Sequence, residues 1–134
     1  MNFTTEEIAL CKEIAEYFRK PIQKGEWFSL LCDNSPFLLD NYSFWVEGFD
    51  LYEREYERKN RIYNKDDWWP LWTWQDAREW LREKGWEINE HLDSLDIVKV
   101  EFARISDRIK LQNKGKSDLE AILKVVLEIL KEEK

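Results

Sequence analysis

The chain has 134 residues, 43% hydrophobic and 37% charged, which fits one globular domain with its own core and excludes a disordered polymer. Lys plus Arg is 21 and Asp plus Glu is 28, a net charge of −7. That balance argues against direct nucleic-acid binding and attachment to anionic membranes, both of which need surplus cations, and favours basic protein partners.

The first predicted element is a helix. Thr4 and Glu7 have the spacing of a capping box, and Ile8, Cys11, Ala15 and Phe18, widened by Leu10 and Ile14, recur at helical spacing until Pro21. Gly25 opens "EWFSLLC", where Phe28, Leu30 and Cys32 fall on one strand face and Trp27, Ser29 and Leu31 on the other. "DNSP" reads as a turn, and "FLLDNYSFWVEG" as one or two short strands. The two cysteines, Cys11 and Cys32, match no zinc spacing and read as reduced, mostly buried thiols. The N-terminus shows no basic stretch leading into an apolar one, and no apolar run reaches membrane-spanning length, so a cytoplasmic setting is expected.

The segment "FDLYEREYERKNRIYNKDD" reads two ways. Tyr52, Tyr56 and Tyr63 sit at roughly helical spacing, and Glu55–Lys59 and Glu57–Arg61 could pair at i,i+4, so its first two-thirds lean to helix. The same letters also suit a charged hairpin or an ordered loop. Pro70 holds "WWPLW" extended, and Thr73 with Asp76 starts a second helix whose stripe is Trp74, Ala77, Leu81 and Trp80. Gly85 is placed as its left-handed cap. "WEINEH" and "IVKVEFARI" then form a hairpin across "LDSLD", with Val98, Val100 and Phe102 facing one way. "NKGKSDLE" closes the sheet, and Ser117 with Glu120 caps a last helix striped by Leu119, Ile122, Leu123, Val126 and Leu130. The expected fold class is therefore α+β, with residues 1–134 as a single domain. An N-terminal helix with short antiparallel strands (1–48) and a connecting segment (49–72) precede a helix–strand–strand–helix unit (73–134).

No motif specifies catalysis. The chain's one histidine, His91, could act as a base or metal ligand with Glu87 and Asn89 on its strand face, but it has no second ligand at a recognised spacing. Asp93 and Asp96 lack the glycine and ligand spacing of a calcium loop, and the four glycines stand apart, so no phosphate loop forms. The expectation is a protein that is not an enzyme, with no metal and no cofactor.

The unusual feature is tryptophan. Six of the eight, Trp68, Trp69, Trp72, Trp74, Trp80 and Trp86, fall in "DDWWPLWTWQDAREWLREKGW". Either Trp68, Trp69 and Trp72 are partly exposed as a recognition surface, or they pack as a hinge while Trp74, Trp80 and Trp86 fill the core. An exposed edge would also favour a homodimer.

"WWPLWTWQDAREWLREKGW", followed by a hairpin and "KSDLEAILKVVLEIL", resembles small uncharacterised proteins encoded by phages and prophages, and "IQKGEWFSLL" is similar to a strand that often precedes that run. The resemblance implies an origin on mobile DNA and a non-enzymatic accessory role, and it brings no catalytic residues. The functional expectation is an accessory protein that binds another protein through an acidic, aromatic-rich surface. Two alternatives stand beside it. One is an inhibitor of a host nucleic-acid-binding or defence enzyme by acidic mimicry, which needs a contiguous negative stripe. The other is a small-ligand binder or enzyme with a Trp-lined pocket of a few hundred cubic ångströms near Trp68–Trp74.

Overall fold

The computed structural model describes residues 2–55 and 60–133. The chain forms two compact units, Met1–Leu71 and Trp72–Lys134, and the fold class is α+β.

The N-terminal unit begins with α1 (Thr5–Ala15). Its capping box is formed: Thr4 N–H donates to Glu7 Oε1 at 2.7 Å, and Glu7 N–H donates to Thr4 Oγ1 at 3.1 Å. Ile8, Cys11 and Ile14 are its buried stripe. The helix stops at Ala15, so Phe18 lies beyond it rather than on the stripe.

Two three-stranded antiparallel sheets follow. The first has the order β2-β1-β6, from β1 (Trp27–Leu30), β2 (Asp33–Leu38) and β6 (Trp68–Pro70). The tight turn falls at residues 31–32, because Leu30 pairs with Asp33. This corrects two expectations. "DNSP" is strand rather than turn, and Cys32 sits exposed in the turn while Cys11 is buried. Pro36 is tolerated in β2 because β2 is an edge strand, where a missing N–H costs no ladder bond.

The second sheet has the order β3-β4-β5, from β3 (Phe44–Glu47), β4 (Asp50–Arg54) and β5 (Asn60–Tyr63). Where a helix was expected over the first two-thirds of 49–67, the described residues Asp50–Arg54 and Asn60–Tyr63 are paired strands. Tyr56, Glu57, Arg58 and Lys59 lie outside the described residues, and with them the two proposed i,i+4 pairs. Arg61 instead lies 3.5 Å from Glu55.

Register decides the layering. Phe28, Leu30, Trp68 and Pro70 share one face of the first sheet, while Ser29 and Trp69 share the other. The first face packs with Leu39, Leu51 and Tyr63, and with half-buried Phe37, Phe44 and Val46, into an aromatic-rich core. On the opposite face, Lys12 of α1 lies over the Trp69 ring at 5.3 Å from its centroid. The N-terminal unit is thus helix, sheet, sheet.

The C-terminal unit holds α2 (Trp74–Glu83), β7 (Trp86–Asp93), β8 (Val98–Arg104), β9 (Lys110–Gly115) and α3 (Asp118–Glu132), with strand order β7-β8-β9. Thr73 caps α2 through a formed capping box with Asp76, and Gly85 follows with φ of 88°. Val98, Val100 and Phe102 are buried on one face of β8, as their alternation requires. The expected two-strand unit has a third strand, β9. Its sequence, "KLQNKG", offers one large apolar side chain, which is how an exposed edge strand guards against pairing with other chains. Ser117 Oγ accepts the Glu120 N–H at 3.0 Å, and the Glu120 carboxylate accepts the Lys116 N–H. No helix among the described residues is long and apolar enough to cross a membrane.

Candidate functional site

The structure buries all three expected binding tryptophans, with Trp68, Trp69 and Trp72 exposing 4%, 2% and 1% of their surface. Of the two readings of these residues, an exposed recognition edge and packing, the burial agrees with packing. Trp68 meets Phe28 edge-on in the core, and its Nε1–H donates to the Phe49 carbonyl at 2.9 Å. Trp69 faces α1, and its Nε1–H has no acceptor among the described residues. Trp72 meets Trp80 edge-on at 6.3 Å. Trp80 and Trp86 are buried as core, while Trp74 is half-buried.

His91 does not share a face with Glu87 and Asn89. A bulge between Ile88 and Glu90 shifts the register, so that Glu87 opposes Ala103 while His91 opposes Val100. His91 consequently stacks on Trp74 at 5.2 Å, and its Nε2 lies 2.7 Å from Asp118 Oδ1 at the start of α3. Asn89 donates instead to Glu101. This is a pinning contact between strand and helix. Among the described residues no three His, Cys, Asp or Glu side chains converge on a point that could hold a metal.

The solvent-facing aromatic surface lies elsewhere, on the outer face of β3–β4–β5. Val46, Leu51 and Tyr63 oppose one another in register and point into the core. The alternate row, Trp45, Tyr52 and Ile62, must then point outward, because successive side chains take opposite faces. Trp45 and Tyr52 stack at 5.6 Å with 10° between their planes, and both are partly exposed. Ile62 is 57% exposed and Tyr42 68%. Arg54 lies over Tyr42 and Trp45, at 4.8 and 5.7 Å, and its Nε–H donates to the Tyr42 carbonyl. Glu47 and Asp50 oppose each other on this same face at the other end of the row. The surface therefore runs from a guanidinium, across stacked rings and an isoleucine, to two carboxylates.

Local chemistry builds this face. Asp40 Oδ1 accepts the backbone N–H groups of Tyr42, Ser43 and Phe44 at 2.9, 2.7 and 3.1 Å, which sets the entry into β3. The turn needs Asn41 at φ of 60°, a conformation asparagine tolerates better than most residues. Gly48, at φ of 63°, supplies the positive φ of the two-residue hairpin between Glu47 and Asp50. The Phe44 and Tyr42 N–H groups, followed by Ser43, hold the Asp40 carboxyl down at about 2. A depressed carboxylate stabilises the fold above its ordinary titration range and loses that contribution as pH falls through the folded value. Stability of the N-terminal unit is therefore expected to fall between about pH 4 and pH 2, and Asp40→Asn to flatten that window in acid titrations followed by circular dichroism. Asp40→Ala at neutral pH is expected to cost about 1 kcal/mol, since the carboxylate is solvent-accessible.

Comparison with protein families, curated proteins and solved structures finds no match.

The sequence reading missed Trp45, Tyr52, Ile62, Tyr42 and Arg54. The available signal was period-two alternation in "FWVE", "DLYER" and "NRIY", which helix-like tyrosine spacing obscured.

Proposed function

We propose that the protein is a non-enzymatic interaction protein that docks another protein on the outer face of β3–β4–β5. The observation that carries this reading is the outward row of Trp45, Tyr52 and Ile62, ended by Glu47 and Asp50. Rigid, partly exposed aromatic rings give large contact area at small entropic cost, and tryptophan and tyrosine are enriched where interfaces concentrate their energy. The two carboxylates, in a chain of net charge −7, suit a partner segment that carries lysine or arginine beside an apolar group. This reading keeps an acidic, aromatic surface but assigns it to Trp45, Tyr52, Ile62, Glu47 and Asp50 in place of Trp68, Trp69 and Trp72. Acidic mimicry of a nucleic acid is less favoured on this sheet, because Arg54 sits at one end of the row. A cytoplasmic accessory role of phage or prophage origin belongs to the same reading and rests on the motifs quoted above.

A photo-crosslinking residue at Ile62 tests it in cells, with one at exposed Lys24 as control. The expected result is a discrete protein adduct at Ile62, absent at Lys24, and reduced about tenfold or more by Trp45→Ala, the loss typical of an interface anchor. Identical adducts at both positions, or adducts to nucleic acid, would overturn it.

A further inference from the structure

A second feature of the N-terminal unit is independent of that face. A cleft of about 370 Å³ lies between α1 and the β5–β6 connection. Lys12 and Ala15 of α1, Glu16 at its C-cap and Arg19 in the segment that follows supply one wall. Lys65, Asp66, Trp68 and Trp69 supply the other.

The lining carries three cations, Lys12, Arg19 and Lys65, against two carboxylates, Glu16 and Asp66, in a chain of net charge −7. Arg19 donates to the carbonyls of Lys65 and Trp68 at 2.9 and 2.8 Å, with its guanidinium 4.7 Å from the Trp68 ring centroid. Those bonds use two of the five guanidinium N–H groups and leave three. Burial lowers the Arg19 pKa, and Asp66 acts against that. Its charge is thus partly desolvated, and an anion there would be less screened than at the open surface. The Nζ atoms of Lys12 and Lys65 each lie 5.3 Å from a ring centroid, of Trp69 and Phe49 respectively. Neither forms an ion pair among the described residues. The apolar part of the wall is Ala15 and indole, including Trp69, whose N–H has no acceptor among the described residues.

We infer that this cleft binds a small organic carboxylate with an apolar body, its carboxylate held by Arg19 and Lys12 and its body against Ala15 and the indoles. The size falls within the range of small-ligand sites, and a few placed polar groups on an apolar wall are what such sites use for orientation. Arginine matches a carboxylate with two parallel N–H donors, which an ammonium alone cannot do.

The test is calorimetric titration of the full chain with benzoate, and with benzamide as the uncharged body of the same shape. Saturable benzoate binding with a Kd on the order of 1 mM or tighter is expected, and no binding of benzamide. Lys12→Gln, at an exposed position, is expected to weaken benzoate binding by about fivefold or more, and Arg19→Gln by about tenfold or more. Arg19 also ties down two carbonyls, so its variant is read only if its circular dichroism is native; the Lys12 variant stands on its own. No saturation by about 10 mM benzoate, equal binding of benzamide, or unchanged affinity in Lys12→Gln would each overturn the inference.

Discussion

Phe28→Ala is expected to destabilise the N-terminal unit by about 3–5 kcal/mol, measured by urea unfolding. Phe28 is fully buried and touches an aromatic ring from each of three other strands. Phe37 of β2 stacks at 5.7 Å, Phe44 of β3 lies edge-on at 4.9 Å, and Trp68 of β6 lies edge-on at 6.4 Å. Truncation removes the buried ring and opens a cavity among rigid neighbours that cannot collapse into it. It also loosens Phe44, whose neighbour Trp45 faces outward in the aromatic row, so loss of the binding face should accompany loss of stability. Phe28→Leu keeps most of the volume and is expected to cost less than half as much. A loss below about 1 kcal/mol for Phe28→Ala would mean that the two sheets do not share this core.

Gly115→Ala is expected to destabilise the C-terminal unit by about 2–3 kcal/mol. Gly115 ends β9 and opposes Val98. A Cβ there would lie 2.6 Å from Glu120 Oε2, 2.8 Å from Glu120 Cβ and 2.8 Å from the backbone nitrogen of Ala121. The carboxylate could swing away, but the first turn of α3 could not. Adding Glu120→Ala should therefore rescue only part of the loss, since the backbone clash persists and the Lys116 N–H loses its acceptor. A neutral Gly115→Ala would show that α3 does not approach β9 this closely. Thermal unfolding of both variants reads the effect.

Much of the fold was legible where one local rule dominates. Thr4, Thr73 and Ser117 announced three helix starts because a capping side chain and its N–H lie within one turn of each other. Val98, Val100 and Phe102 announced β8 because one face is wholly buried. What stayed illegible depends on pairing between distant segments. "DNSP" resembles a turn, yet it lies along an edge where proline is allowed. Lys110–Gly115 is strand because β8 needed a second neighbour, which its polar letters do not state. The bulge at Asn89 moves His91 to the other face, and no nearby residue signals it.

The candidate site was hidden for the same reason. Trp45, Tyr52 and Ile62 come from three strands and become neighbours only through register. Trp68, Trp69 and Trp72, adjacent in sequence, attracted attention by density, and density here reflects packing. Trp68 and Trp69 point to opposite faces of one strand, as alternation requires, so they could not have formed one exposed surface.

Acrylamide quenching of tryptophan fluorescence tests most directly where the accessible aromatic face lies, using the single variants Trp45→Phe, Trp68→Phe, Trp69→Phe and Trp72→Phe. If the face is that of β3–β4–β5, the quenchable fraction falls in Trp45→Phe and is unchanged in the other three. A quenchable fraction that survives Trp45→Phe and falls with Trp68, Trp69 or Trp72 would contradict it and return the binding surface to the tryptophan-dense stretch.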